Sequence, residues 1–153
     1  MHKRTAIRVR ARKLLADHFS GTEVNVVDDG NLRQVARGKL PAVDVSTMAD
    51  PESAVSSGQA ASRSIKRELT LAVVVAARQA DDVAIEDELD SLAEGVEIAL
   101  VRSAFAGLVS KIDLDQTETD AIQGDNEQDY GITSLRFLVT YTTTPGNPSA
   151  PKT

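Results

Sequence analysis

The chain has 153 residues, 41% of them hydrophobic, with no Cys, no Trp, three Phe, two Tyr and a net charge of −6. That length suits one domain around one core, and the lack of Cys excludes a disulfide scaffold, a thiol nucleophile and any Cys-ligated metal site. Net acidity argues against a general nucleic-acid binder, and no apolar run reaches the roughly 20 residues of a membrane-spanning helix.

Charge is unevenly placed. Residues 1–80 carry 13 Lys/Arg against 8 Asp/Glu, whereas residues 81–129 carry 2 against 15. One basic and one acidic region on the same chain suit head-to-tail pairing with a second copy, although each also fits a solvated face. The scarcity of aromatic side chains, which bury the most area per residue, predicts a thin core that gains from neighbours. The basic start, Met1-His2-Lys3-Arg4, is followed by Arg8, Arg10, Arg12 and Lys13 rather than by an apolar stretch, so no secretory signal is expected there. With no Cys, a reducing compartment fits, and assembly in a host cytoplasm is the expectation.

The first element reads as a helix over about Lys3–Phe19. Ile7, Ala11, Leu14, Leu15, His18 and Phe19 form one apolar stripe at three- and four-residue spacing. Arg4, Arg8 and Arg12 lie four apart and make a basic ridge, whose mutual repulsion costs a few tenths of a kcal/mol per pair unless acid faces it. Ser20-Gly21 stops the helix. Glu23–Val27 reads as a short strand closed by Asp28-Asp29-Gly30, and the polar segment to Leu40 carries Arg33, Arg37 and Lys39. Leu40–Ser46 is a second strand, with Pro41 at its start, where a missing N–H is harmless. Residues 50–62 are rich in Ser, Ala, Pro and Gly and read as a long loop ordered by function or by a partner.

Ser64–Arg78 carries the strongest strand pattern. Leu69, Leu71, Val73, Val75 and Ala77 alternate with Thr70, Ala72, Val74 and Ala76, so both faces are apolar or small and the strand belongs in the middle of a sheet, or under another chain. Asp81-Asp82 opens a second helix running to about Ser103. Ile85, Leu89, Leu92, Val96, Ala99 and Leu100 face the core, and Glu86, Asp87, Asp90, Glu94 and Glu97 face outward. Ile112 and Leu114 mark a further strand, residues 116–129 read as an acidic connection, and Ile132–Thr143 closes the sheet. Pro145-Gly146-Asn147-Pro148 begins a tail expected to be loose. The fold class is therefore α+β: a mainly antiparallel sheet of four to five strands with both helices on one face, over residues 1–144, followed by a Pro-rich tail at 145–153.

Tests for chemistry fail by name. The histidines are His2, near the terminus, and His18, on a helix stripe, where a core or helix-end role outweighs that of a catalytic base. There is no G-x-S-x-G elbow, phosphate-binding Gly-rich loop or H-E-x-x-H. A calcium loop starting at Asp113 meets Glu118 where Gly is required and Gly124 where Glu is required. One starting at Asp125 meets Tyr130 and Arg136 at those places. Nothing near the carboxylates marks one as buried with a raised pKa. The expectation is a non-enzyme with no cofactor and no resident metal.

The order of elements resembles the tail terminator proteins of long-tailed bacteriophages, the lambda minor tail protein U type. The resemblance spans residues 1–143 and lies in a succession: the N-terminal amphipathic helix, the strand Leu40-Pro41-Ala42-Val43-Asp44-Val45, a variable loop, and the long strand beginning Lys66-Arg67-Glu68-Leu69. The acidic helix Asp82-Val83-Ala84-Ile85-Glu86-Asp87-Glu88-Leu89-Asp90 follows, then Asp129-Tyr130 and a last strand ending Val139-Thr140-Tyr141-Thr142. The Pro-rich tail departs from the short family ending and reads as an added contact arm. The resemblance implies a virion protein at the head-proximal end of the tail. A hexameric ring caps the tail tube, ends its polymerisation and meets the head-side connector, while DNA passes through the channel without sequence-specific contact. Such a ring needs two different complementary surfaces per subunit. The ridge of Arg4, Arg8 and Arg12 and the helix face of Asp82, Glu86, Asp87 and Asp90 are the expected pair. Arg33, Arg37 and Lys39 are candidates for the channel or tube side, or for solvated loop charges. Rival readings are another neck or tail-completion protein, a small acidic metal- or ligand-binding module and, more distantly, a hydrolase.

Overall fold

Apolar periodicity decides where the helices lie, and the long strand between them decides what they cover. The computed structural model describes residues 1–27, 40–48, 53–57, 64–78, 84–122 and 130–149. Helix α1 spans Lys3–His18. Its stripe is buried at Ile7, Ala11 and Leu15, each 0% exposed. The His2 ring accepts a hydrogen bond from the Arg4 N–H at its start, and Phe19 caps its end, with its N–H on the Leu15 carbonyl. Gly21 follows at φ +78°, a conformation that ends a helix cheaply only with glycine.

Strands β1 (Asn25–Val27), β2 (Ala42–Thr47), β3 (Ser53–Ser57) and β4 (Ser64–Arg78) precede helix α2 (Ile85–Ala99). A 3₁₀ turn (Arg102–Phe105), β5 (Lys111–Ile122) and β6 (Tyr130–Thr143) complete the order. One sheet of six strands runs β1-β2-β4-β6-β5, with β3 added to β4 beyond the end of β2. Every pairing is antiparallel except β1 with β2. The fold class expected from sequence is the one observed, an α+β domain with a mostly antiparallel sheet.

Both helices pack on one face. Val43 and Val45 of β2, Leu69 to Val75 at alternate positions of β4, and Leu135 to Tyr141 at alternate positions of β6 form a single cluster with the α1 stripe and with Leu89, Leu92 and Val96 of α2. β4 lies in the middle, pairing on one side with β2 and β3 and on the other with β6 from Ile65↔Thr143 to Arg78↔Tyr130. On the opposite face, among the described residues, Leu40, Ala42, Ala76 and Ile132 make a small second cluster at one end.

Four elements differ from the sequence expectation. Residues 53–57, assigned to a loop, form β3 against Glu68 to Ser64; two Ser at the strand's end gave no apolar alternation. Residues 116–122, assigned to an acidic connection, continue β5 along β6. Their alternation is Thr against acid rather than apolar against polar, and the 14-residue partner strand supplies the ladder that propensity does not. The second helix stops at Ala99, not Ser103, because Leu100 turns into the core and the 3₁₀ turn then buries Phe105 completely. Residues 145–149 of the expected tail lie against the start of α1, with the Lys3 N–H on the Pro148 carbonyl at 2.8 Å and a bridge between His2 and Ser149.

At Gly95 helix α2 lies close against the end of α1. A Cβ there would stand 2.9 Å from Phe19 Cζ and 3.1 Å from His18 Nε2. Gly95→Ala sets a helix-propensity gain of up to about 1 kcal/mol against displacement of a buried ring costing about 1–3 kcal/mol. Net destabilisation of about 1 kcal/mol is expected in urea titration. A gain in midpoint would show that the ring moves aside freely.

Candidate subunit interface

The basic ridge is turned onto its own sheet. Arg4 and Arg8 each place a guanidinium nitrogen 3.3 Å from the Thr47 hydroxyl, and Arg12 donates to the Val45 carbonyl at 3.1 Å. All three are partly buried. The arginines therefore clamp α1 to β2, and their alkyl stems cover the margin of the core. Arg4 and Arg8 meet a single neutral oxygen, which satisfies donors without cancelling charge. Among the described residues neither makes an ion pair.

The acids of α2 are placed differently. Glu86, Asp87 and Asp90 are exposed, as are Glu94 and Glu97 further along. Glu86, Asp87 and Glu88 lie in the first turn, where carboxylates are favoured by the helix dipole. Asp82, Arg33, Arg37 and Lys39 lie outside the described residues. Of the residues singled out from sequence, the structure thus brings Arg4, Arg8 and Arg12 together on β2, and sets Glu86, Asp87 and Asp90 together on the outer side of α2.

Sequence reading missed two further surfaces. One is the sheet face away from the helices. Register places Ser46, Ala72, Arg136 and Gln116 in one row across it, and Thr70, Leu138 and Asp113 in the next. No described element lies over these rows, and Leu138 is 37% exposed. On β2 and β4 these residues are small or hydroxylated, and, toward β5, Arg136 reaches Gln116 Oε1 at 3.5 Å. The alternation of β4 in the sequence signalled a strand in mid-sheet or under another chain, but not which residues of β2, β5 and β6 share this face.

The second is β5. Asp113 to Asp120 are all exposed, and the strand bulges between Leu114 and Gln116. Asp113, Glu118 and Asp120 project on the side away from the helices, opposite Leu138, Ser134 and Ile132. Lys111 pairs with Asp113 at 3.0 Å. That hydrogen bond, with the attraction of the same carboxylate, raises the Lys111 pKa above its ordinary value. An exposed pair of this kind contributes little to stability.

His18 ends α1 exposed, its ring edge-on to Phe19 with centroids 5.0 Å apart, so it is a helix-end residue. Among the described residues, no three His, Asp or Glu side chains converge as a metal site. No described helix is long and apolar enough to cross a membrane. An open depression beside the 3₁₀ turn is lined by Val101, Arg102, Ser103, Gly107 and Val109.

No protein-family model and no curated protein matches the chain. Among solved structures, a chain of the virion of the native gene transfer agent particle is similar at a TM-score of 0.43 and 17% identity, over 93% of this chain and 92% of that one.

Proposed function

We propose that the chain is a structural protein of a phage-like particle and, within that class, a tail terminator: a subunit of a hexameric ring that caps the tail tube and joins it to the head-side connector. The observation that carries this reading is the incompletely covered sheet. A domain of this size buries its sheet against its own layers where it can. Here, among the described residues, no element lies over the rows of Ser46, Ala72 and Arg136 and of Thr70 and Leu138, beyond the Leu40–Ile132 cluster. A sheet face with Leu138 exposed on it suits contact with other copies and with a tube. The sequence over residues 1–143 resembles the terminator layout, which supports this reading.

In this reading the acidic face of Asp82, Glu86, Asp87 and Asp90 meets the uncompensated charge of Arg4 and Arg8 on the next copy, a heterologous contact that closes into a ring. Arg12, held on a backbone carbonyl, serves the fold. Arg33, Arg37 and Lys39 face the channel or the tube. DNA passes through the channel held by no base contact.

The test is solution mass of the purified protein, alone and with purified tail tubes, followed by electron microscopy of tube ends. A hexamer, or a monomer that becomes a cap on tubes, is expected. A monomer indifferent to tubes overturns the proposal. Reversing both Arg4 and Arg8 to Glu is expected to weaken assembly at least about tenfold, roughly 1.4 kcal/mol, while costing the monomer about 1 kcal/mol for the lost Thr47 contacts. Adding Glu86→Lys and Asp87→Lys restores assembly if these surfaces meet. Unchanged assembly in the first variant removes the ridge from the interface.

A further inference from the structure

Among the described residues the sheet ends in β5 on one side and, on the other, in the three-residue β1 and, beyond the end of β2, in β3. On one side β5 offers a 12-residue edge, paired among the described residues with β6 alone. On the other, β3 offers a five-residue edge, paired among the described residues with β4 alone. β3 and β6 flank β4 from opposite sides, since Lys66 pairs with both Val55 and Thr142. An unpaired edge is a row of unsatisfied N–H and C=O groups ready to accept another strand. We propose that the β5 edge of one copy pairs with the β3 edge of the next, extending the sheet from subunit to subunit around the ring. This inference rests on the ring reading and names the contact that builds it.

Charge selects the partner. Asp113, Asp115, Glu118 and Asp120 give β5 four acids against Lys111, and Asp113 to Asp120 are exposed. Laid against a second β5, these carboxylates would meet like charge at every second position, which destabilises cross-strand pairs. A self-paired dimer is therefore disfavoured. The β3 edge carries no charged residue of its own. Its neighbour β4 adds Lys66, exposed, and Arg67, against one acid, Glu68, at the same end. A neutral strand backed by two cations suits an acidic strand. The bulge at Leu114/Gln116 increases the local twist of β5, and so turns each subunit relative to the last, as a closed ring requires.

The absence of Cys makes the test clean. Ser56→Cys on β3 is combined with Thr117→Cys or, in a separate variant, Thr119→Cys on β5. Within one subunit β4 and β6 separate these strands, about 14 Å at ordinary strand spacing, too far for a disulfide. Mild oxidation of assembled protein is expected to give a ladder of covalent oligomers up to the hexamer in at least one double variant, and none in any single variant. Solution mass before oxidation separates the two levels of the argument. Hexamers that give no ladder overturn the edge pairing and leave the ring standing. Covalent dimers from Thr117→Cys alone, or a ladder that stops at the dimer, overturn the head-to-tail arrangement. Protein that stays monomeric with and without tubes overturns ring and edge together.

Discussion

Replacing Phe105 by Ala is expected to lower the unfolding free energy by about 3–5 kcal/mol, with the midpoint of urea unfolding falling and its slope unchanged. Phe105 is 0% exposed and belongs to the main cluster. It is the residue for which the chain leaves α2 early. Val101 is extended, the 3₁₀ turn drops the ring inward, and Ala106 and Gly107 at φ 52° and 82° bring the backbone round toward β5. Beside it, Arg10 of α1 donates to the Ala104 carbonyl at 2.9 Å. The ring thus packs where α1, the turn and the sheet meet, and its removal leaves a cavity that the surrounding cluster refills only in part. Phe105→Leu retains most of the volume and should cost less than half as much. Equal losses from Leu and Ala would mean that ring shape matters more than the cavity.

A carboxylate at position 73 is expected to abolish folding, whereas one at position 72 is tolerated. Val73 is 0% exposed and stands in register between Val45 and Leu135 under the helices. An unpaired charge there costs several kcal/mol even after relaxation, comparable to the whole stability of a domain of this size. Ala72 lies on the other face, partly exposed, between Ser46 and Arg136. Ala72→Asp puts its carboxylate opposite a guanidinium. Circular dichroism and soluble yield separate the two: Val73→Asp unfolded, Ala72→Asp native and within about 1 kcal/mol of the parent. If the bare face meets another copy or the tube, Ala72→Asp also loses assembly while keeping its fold. A folded Val73→Asp would show that the faces are wrongly assigned.

That adjacent residues divide so sharply was legible in the sequence, because the alternation of Leu69 to Ala77 assigns a face to each position whatever the register. Both helices were legible for the same reason, their apolar spacing leaving one face to bury. The position of β4 followed from the apolar character of both its faces. What escaped was polar structure. Gln116 to Asp120 offers no apolar alternation, and its strand exists because β6 is long enough to hold it. β3 likewise borrows its order from Lys66 and its neighbours on β4. The site was less legible than the fold. Spacing placed Arg4, Arg8 and Arg12 on one ridge correctly, but spacing cannot say which way a ridge faces. Thr47 and the Val45 carbonyl, 33 to 43 residues away, decide that. The bare sheet face and the free edges are products of tertiary arrangement, and no local pattern announces them.

The pairing of β4 with β6 also sets a timetable for the newborn chain. Ile65↔Thr143 and Arg78↔Tyr130 join residues 78 and 52 positions apart, so the strand with two apolar faces is synthesised well before its main partner. Contacts this distant make for slow folding, in the millisecond-to-second range for domains of high contact order. Until the last strand emerges, β4 is the segment most open to mispairing. The protein's vulnerability in the cell therefore lies in the interval between making β4 and making β6, when neither the helices nor the other strands can close its open side.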